Sequence, residues 1–455
     1  CWSKDGTTVY SGGIYNENGV VPINSWTNEG RGEYHQIDVG ATNSIVGLKP
    51  ISKGLLYSVY DSSFGIYSDQ NHVTLRRKAA SIDPRKNIKN FLISYDGSTV
   101  QLALGLGNER PVQFSLRKHQ LRPVDDLPNH ADMIPPRLKS TKFWITGWEA
   151  NLTPKRNGVF IPLEDDEVSQ SLAIHPRDTG FVLGTSKHIR CYDEHARLRW
   201  KRKTPTGWSV NISGNGKYVV AALGDGTIRW YRWTDGAELT SLFISSKDLR
   251  WVIWTPDAFF DHSPGGESMI GYQINRGRAF TPEFVSIDQM YDHFYRPDII
   301  YSRFFGTALS TVKPPDIHSI LHNNGLPPTV SVDVAKNETE RDTVGINVKI
   351  IDNGGGIGRV VCRVNGATQA LDSVPPDSAP SSGLSTKFGK TLSLASGDNF
   401  IQVTALNSKN TIESKPAGVR VTRETGPSKK PDLYIIAIGI SQYRDHALQL
   451  LYPCL

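Results

Sequence analysis

Apolar and polar positions alternate in short runs over most of the chain, the period-2 signature of half-buried strands, and the runs are separated by Gly, Asn, Asp and Pro. The alternation is strongest from Pro327 onward. Val330, Val332 and Val334 share one face, as do Val344, Ile346, Val348 and Ile350 on the next run. Val360, Cys362 and Val364 follow, then Ile401, Val403 and Ala405, and finally Val419 and Val421. About seven strands in roughly 100 residues, with turn signals between them, predict an immunoglobulin-like sandwich over 327–423 in which Cys362 faces inward. Two stretches break the pattern. Residues 284–310 space their apolar side chains as a helix does and are interrupted by Pro297, which predicts a connector (284–326) with one or two helices. "LYIIAIGI" (433–440) is unbroken apolar sequence after the polar linker 424–431, as in a strand buried on both faces of a parallel sheet, so an α/β domain is expected over 432–455.

The first 283 residues carry an internal repeat. Ser3-Lys4-Asp5-Gly6-Thr7-Thr8-Val9 returns as Ser94-Tyr95-Asp96-Gly97-Ser98-Thr99-Val100 and as Ser213-Gly214-Asn215-Gly216-Lys217-Tyr218-Val219. Asp/Asn-Gly supplies the positive φ of a tight turn, and the apolar residues after it start a strand. A weaker copy occupies 173–186. The copies lie about two and about three periods of roughly 40 to 45 residues apart, the length of one four-stranded propeller blade, so about seven blades are expected over 1–283.

Composition adds restraint. The 51 basic and 45 acidic side chains leave a net charge of +6, too dilute for a nucleic-acid footprint, and no run is apolar enough to span a bilayer. Cys1, Cys191, Cys362 and Cys454 stand far apart without CxxC spacing, which points away from a disulfide framework or zinc knuckle and toward a reducing, cytoplasmic setting. A chain that opens on Cys1 in mid-pattern is expected to have lost an upstream segment.

"SVNISGNGKYVVAALGDGTIRWYRWTDGAELTSL" is similar to a WD-repeat blade, with Gly224-Asp225-Gly226 in the second hairpin, Trp230 ending the third strand and Thr234-Asp235-Gly236 turning into the fourth. The final Trp-Asp pair is not intact, and residues 126–165 fit the pattern poorly. Taken in order, these blades, "WVIWTPDAFFDHSPGGESMIGYQINRG", "FYRPDII", "DNGGGIGRVVCRVNG" and "DLYIIAIGISQYRD" resemble bacterial WD-repeat proteins of the caspase-like, metacaspase-related cysteine peptidase group. The resemblance implies a His-Cys dyad on later strands of the last domain, beyond Leu455, so no catalytic residue is assigned within this sequence and no cofactor or metal is implied. The final "YRDHALQLLYPCL", with Pro453, departs from the group and is expected to be a truncated or frame-shifted end.

Several stretches mimic chemistry. Asp261-His262-Ser263 spells a hydrolase triad, but adjacent residues on a strand alternate faces, whereas triads converge from separate loops. Set under the first repeat, Trp254-Thr255-Pro256-Asp257 aligns with Trp2-Ser3-Lys4-Asp5, and the stretch reads as the last blade's own repeat. His188, Cys191 and His195 have loose metal-like spacing, yet His188 and Cys191 would face opposite ways. His318 and His322 lack the Glu of a zincin, the glycines of 352–358 join two strands as a hairpin and open no helix, and the basic run 197–204 reads as a solvated strand edge. The expectation is a non-catalytic sensor and scaffold portion of a peptidase that binds a protein or peptide on the propeller rim, without nucleic acid or membrane. A stand-alone WD-repeat adaptor is the alternative. An enzyme site on the propeller itself is a third, weaker reading.

Overall fold

The computed structural model describes residues 1–424 apart from 15–19, 62, 69, 71, 78–80, 127–131, 276, 278–281, 308–311, 314–315, 317–319, 321–324 and 374–384. The chain divides into two units, Cys1–Gly266 and Glu267–Leu455. Both are mainly β, as the alternation predicts. No helix among the described residues is long and apolar enough to cross a membrane.

Six antiparallel sheets follow one another in the first unit. Sheet I contains Val9–Ser11, Ile23–Trp26 and Tyr34–Ile37, and sheet II contains Ile45–Ile51, Gly54–Val59, Phe64–Ser68 and Val73–Arg77. Sheet III runs through Leu92–Ser94, Thr99–Gly105, Glu109–Ser115 and Gln120–Pro123, with Met133–Ile134 added beside Leu92–Ser94. Sheet IV has only Ile145–Thr146, Lys155–Arg156 and Val159–Phe160, in the region that fits the repeat poorly. Sheet V comprises Ser169–Ile174, Gly180–Thr185, His188–Asp193 and Leu198–Lys203. Sheet VI has six strands: Gly207–Ile212, Tyr218–Leu223, Thr227–Arg232, Glu238–Ile244, Trp251–Trp254 and Phe260–His262.

The three repeat copies fold alike. Ser3, Ser94 and Ser213 donate their hydroxyls to the Oδ1 of Asp5, Asp96 and Asn215 at 2.6, 2.8 and 2.7 Å. The same Oδ1 atoms accept the amides of Thr7, Ser98 and Lys217 at 3.1, 3.0 and 2.9 Å. Each serine oxygen in turn accepts the amide five residues on, at 2.9 to 3.0 Å. The glycines take φ of 75, 80 and 74°, where a side chain is strained. In the weaker copy the left-handed position is filled by Asp178 at φ 57°, and the leading serine is replaced by His175.

Neighbouring sheets meet at these turns. A Cβ on Gly97 would lie 2.7 Å from Tyr218 Cδ2, and one on Gly216 would run into the His175 ring. Sheet VI packs against sheet V through a shared core containing Val182, Ile189, Cys191, Val219, Ala221 and Tyr231. It also meets sheet III, where Asn211 Nδ2 donates to the carbonyls of Phe91 and Ile134 at 2.7 and 2.9 Å and Trp230 Nε1 donates to Gly97 at 2.9 Å. Trp230 is fully buried at the middle of its strand, where its indole N–H needs that partner.

The 251–262 stretch departs from expectation. Its turn repeats the serine copies, with Thr255 Oγ1 donating to Asp257 Oδ1 at 2.6 Å. However, Trp251–Trp254 pairs with Glu238–Ile244, so the stretch extends sheet VI and opens no sheet of its own. The preceding strand offers an apolar, unpaired edge, and closing it satisfies those backbone groups.

In the second unit, Gly271–Ile274 pairs with Glu283–Ser286, followed by the helices Tyr291–Phe294 and Pro297–Phe305. Pro297 opens the second helix at its first turn, where its missing N–H costs nothing, and Gly306 ends it at φ 72°. The region from 329 to 423 is a β-sandwich. One sheet holds Thr329–Val334, Thr343–Ile351 and Ser385–Ser393; the other holds Glu338–Thr339, Ala417–Arg423, Gly397–Ala405, Arg359–Val364 and Ala367–Ser373. Its core contains the alternating residues named from sequence, from Ile346, Val348 and Ile350 through Val360, Cys362 and Val364 to Ile401, Val403 and Ala405. The glycine run 352–358 is corrected: it is no hairpin but the crossing from one sheet to the other, because the strands on either side pair in different sheets.

Crowding at the turn glycines separates from backbone strain by substitution. Gly97→Ala and Gly216→Ala are each expected to lower the unfolding free energy in urea by about 2–3 kcal/mol. Gly107→Ala, at φ 68° with open space around it, should cost only the ~1 kcal/mol of its backbone conformation.

Candidate functional site

The residues that spell a triad address separate partners. Asp261 points inward, 4% exposed, and pairs with Nδ1 of His119, which projects from a turn of sheet III at φ 48°. His262 turns the other way and places Nδ1 2.8 Å from the Ser263 carbonyl. Ser263 Oγ accepts the Trp251 amide at 2.8 Å. The stretch fastens sheet VI to sheet III through Asp261 and closes its own hairpin through Ser263.

His188, Cys191 and His195 do not converge. Cys191 sits in the apolar core beside Ile189, where burial pushes its thiol up, away from reactivity. His195 is exposed on the following turn. His188 lies on the opposite face with Arg190, and both reach Glu167, a carboxylate with no exposure, through Nδ1 at 2.9 Å and the guanidinium at 2.9 and 2.5 Å. Thr185 donates to the same carboxylate, and the Glu164 amide does so at 3.0 Å. Burial works to raise the Glu167 pKa, but Arg190, Thr185, the Glu164 amide and His188 outweigh it and hold the carboxyl at about 2. Sequence reasoning missed this cluster because Glu167 lies in the acidic run "LEDDE", which reads as solvated surface. Glu164, Glu167 and His188 place ligand atoms within 4.8 Å of one another, as a metal site would. The cationic positions are taken: Arg190 contacts both carboxylates, and Lys201 Nζ lies 2.5 Å from Glu164. The arrangement is an internal ion network that joins the start of sheet V to its third strand.

Loops of three sheets converge on a cleft of about 380 Å³ in the first unit. Tyr60 and Asp61 come from a turn of sheet II, Glu109 and Arg110 from a hairpin of sheet III, and Trp208 from sheet VI; Asp83 and Arg85 come from the segment between sheets II and III. Several are held by hydrogen bonds. Asp61 Oδ1 accepts the Ser63 amide at 2.9 Å, Tyr60 Oη lies 3.2 Å from Thr206 Oγ1, and Arg110 Nη1 donates to the Ser246 carbonyl at 2.8 Å. Arg85 grips Asp83 in a two-pronged pair at 2.9 and 2.6 Å. Charges of both signs beside two aromatic rings suit a ligand with its own amides, carboxylates or ammonium groups, such as a peptide segment. Among the lining residues there is no His or Cys, and the Ser63 hydroxyl donates to Asp61 Oδ1 at 2.5 Å.

The remaining sequence candidates resolve simply. Leu198–Lys203 is the outer strand of sheet V; Trp200 turns inward and donates to the Trp233 carbonyl at 2.9 Å, while Arg202 bonds the carbonyls of Asp235 and Gly236 at 2.8 and 2.7 Å. Asp352 Oδ1 accepts the amides of Gly354 and Gly356, both at 2.8 Å, so an internal carboxylate fills the place a phosphate would need. His318, His322 and the 432–455 stretch lie outside the described residues.

No family model and no curated protein matches the chain. Among solved structures, the fibronectin(III)-like modules of Clostridium thermocellum CbhA share 19% identity over 21% of this chain and 97% of theirs, at a TM-score of 0.17. The PKD domain of an M14-like peptidase from a Thermoplasmatales archaeon shares 16% over 22% of this chain and 98% of its own, at 0.16. BamB from Moraxella catarrhalis shares 9% over 57% of this chain and 71% of its own, at 0.14. Scores this low assign neither fold nor function to the chain.

The Glu167 network has a pH signature. Its carboxyl is held at about 2, below the ordinary 4.5, so its contribution to stability is complete above pH ~5 and drains away as pH falls toward 2. Glu167→Gln should lose about 3 kcal/mol at pH 7 by leaving buried Arg190 with only the more distant, exposed Glu164 as its anion, and its stability should fall less steeply than the parent's between pH 5 and 2. Urea denaturation at several pH values reads both effects.

Proposed function

We propose that this chain is the non-catalytic binding and spacing portion of a caspase-like cysteine peptidase. On this reading the six sheets are blades of a WD-type propeller, and the sandwich is an immunoglobulin-like module between them and the peptidase domain. One observation carries the binding role: turns of sheets II and III and the first strand of sheet VI converge on a polar cleft lined by charges of both signs. A partner of protein or peptide chemistry suits it. The resemblance of "WVIWTPDAFFDHSPGGESMIGYQINRG" and "DLYIIAIGISQYRD" to the peptidase group supports the assignment of the whole. The thiols of Cys191 and Cys362, both within apolar cores, suit a reducing compartment.

The test uses the encoding frame and its product. The 455-residue chain should hydrolyse neither ester nor peptide substrates above buffer, and His262→Ala and Ser263→Ala should change nothing. Reading on past codon 455 should disclose a strand ending in His and then one ending in Cys, and the longer product should cleave peptides until its thiol is alkylated. A frame without those strands leaves the adaptor reading, and activity lost with Ser263 would place an enzyme on the sheets themselves.

A further inference from the structure

We propose that the cleft of the first unit receives a short peptide with both termini free, its ammonium group held by the carboxylates of Asp61 and Glu109 and its carboxylate by Arg76. The inference rests on the binding role proposed above and narrows it, from any protein or peptide segment to a zwitterion of about two or three residues.

The charge count of the lining comes first. Asp61, Asp83 and Glu109 face Arg76, Arg85 and Arg110, three of each sign. Arg85 and Asp83 compensate each other in their two-pronged pair, and Arg85 acts on Asp61 only from beyond ion-pair distance. Among the described residues, Asp61, Glu109, Arg76 and Arg110 have no ion pair. Two anions and two cations therefore line one space without a counter-charge from the protein.

These groups are held at the wall of the cleft. Arg76, on the outer strand of sheet II, donates from Nη2 to the Gly40 carbonyl, and its guanidinium occupies the space where a Cβ on Gly40 would stand. The Glu109 carboxylate folds over Gly105, where a Cβ would lie 2.8 Å from Oε2. Gly40 and Gly105 are themselves part of the lining, so the charged ends they seat are too. Asp61 spends Oδ1 on the amide and hydroxyl of Ser63, which fixes the carboxylate. Arg110 rests on the Ser246 carbonyl. Placement made in advance lowers the ordering cost of binding.

Filling the cleft takes these charges out of water, and a ligand without charge leaves them uncompensated. An internal stretch of main chain brings only neutral amides. Free termini bring one full charge each: a carboxylate accepts two parallel N–H bonds from a guanidinium, and an ammonium group donates three. Arg76 and Glu109 stand on different sheets, so one molecule has to present opposite charges at two ends, as a peptide does along its length. Size agrees. A volume of about 380 Å³ is at the small end of the roughly 300–1,000 Å³ of small-ligand sites, and an extended tripeptide spans about 10 Å. The indole N–H of Trp208, which bonds to no described residue, is left for a carbonyl between the termini.

The experiment titrates the full 455-residue chain calorimetrically at pH 7 with Ala-Leu-Ala, its N-acetyl form, its C-terminal amide and the doubly blocked acetyl-Lys-Ala-Glu-amide. Free Ala-Leu-Ala should bind, and blocking either end should weaken it about tenfold. Arg76→Gln should weaken the free tripeptide about tenfold and leave the affinity for its amide unchanged. The double variant Asp61→Asn with Glu109→Gln should do the same to the free and N-acetyl forms, and circular dichroism of both variants should match the parent. Blocked peptides that bind as tightly as the free one would overturn the inference and leave the broader peptide reading standing, with an internal segment as occupant. An Arg76→Gln variant that loses equal affinity for the free and amidated forms would overturn it as well. If no peptide, free or blocked, binds at millimolar concentration, the peptide reading of the cleft falls with it.

Discussion

The first unit depends on how closely main chains approach at the turns between strands. Gly97 lies under Tyr218, Gly214 lies against Tyr95, and a Cβ on Gly207 would lie 2.9 Å from the Gly184 Cα. Each contact has room for a hydrogen but not a methyl group. The sheets share cores because these points close up, while Asp5, Asp96 and Asn215 satisfy an amide within each turn. The repeat is therefore a packing device as much as a turn signal. Its polar residues serve the backbone and its glycine serves the neighbouring sheet.

The same economy explains why residues that look reactive are inert. Asp261, His262 and Ser263 are adjacent on one strand and its following turn, and their side chains point to His119, to the Ser263 carbonyl and to the Trp251 amide. His188 and Cys191 are divided by the pleat between an ionic layer and an apolar one. Reactivity needs convergence of distant residues, and where it occurs here, around Glu167, the meeting groups are already an anion and its cations. At the cleft, by contrast, charged groups from separate sheets converge around open space.

What the sequence disclosed followed from locality. The sandwich core was legible almost residue by residue, because a strand with one buried face writes its period into the sequence, and Ile346 through Val403 obey it. The three serine turns were legible for the same reason, as was the poor fit of 126–165, which holds sheet IV's two-residue strands. Pairings across distance left no such trace. His119 and Asp261 are 142 positions apart, nothing around Glu167 advertises Arg190, and the glycines of 352–358 look the same whether the chain turns back on its own sheet or crosses to another. The extension of sheet VI by 251–262 was hidden too, since a strand's alternation does not say which edge it will join.

The position of sheet VI has a consequence for how the protein comes into being. Its first and third strands contact sheet III on one side, and its core is shared with sheet V on the other, so it lies between two sheets that precede it in the chain. During synthesis sheets III and V emerge with those flanks bare, including Phe91, Ile189 and Cys191, and stay so until residues 207–262 leave the ribosome. The last part of the unit to be made is thus the part that closes it. A nascent chain paused before that point holds unsealed apolar surface at both flanks.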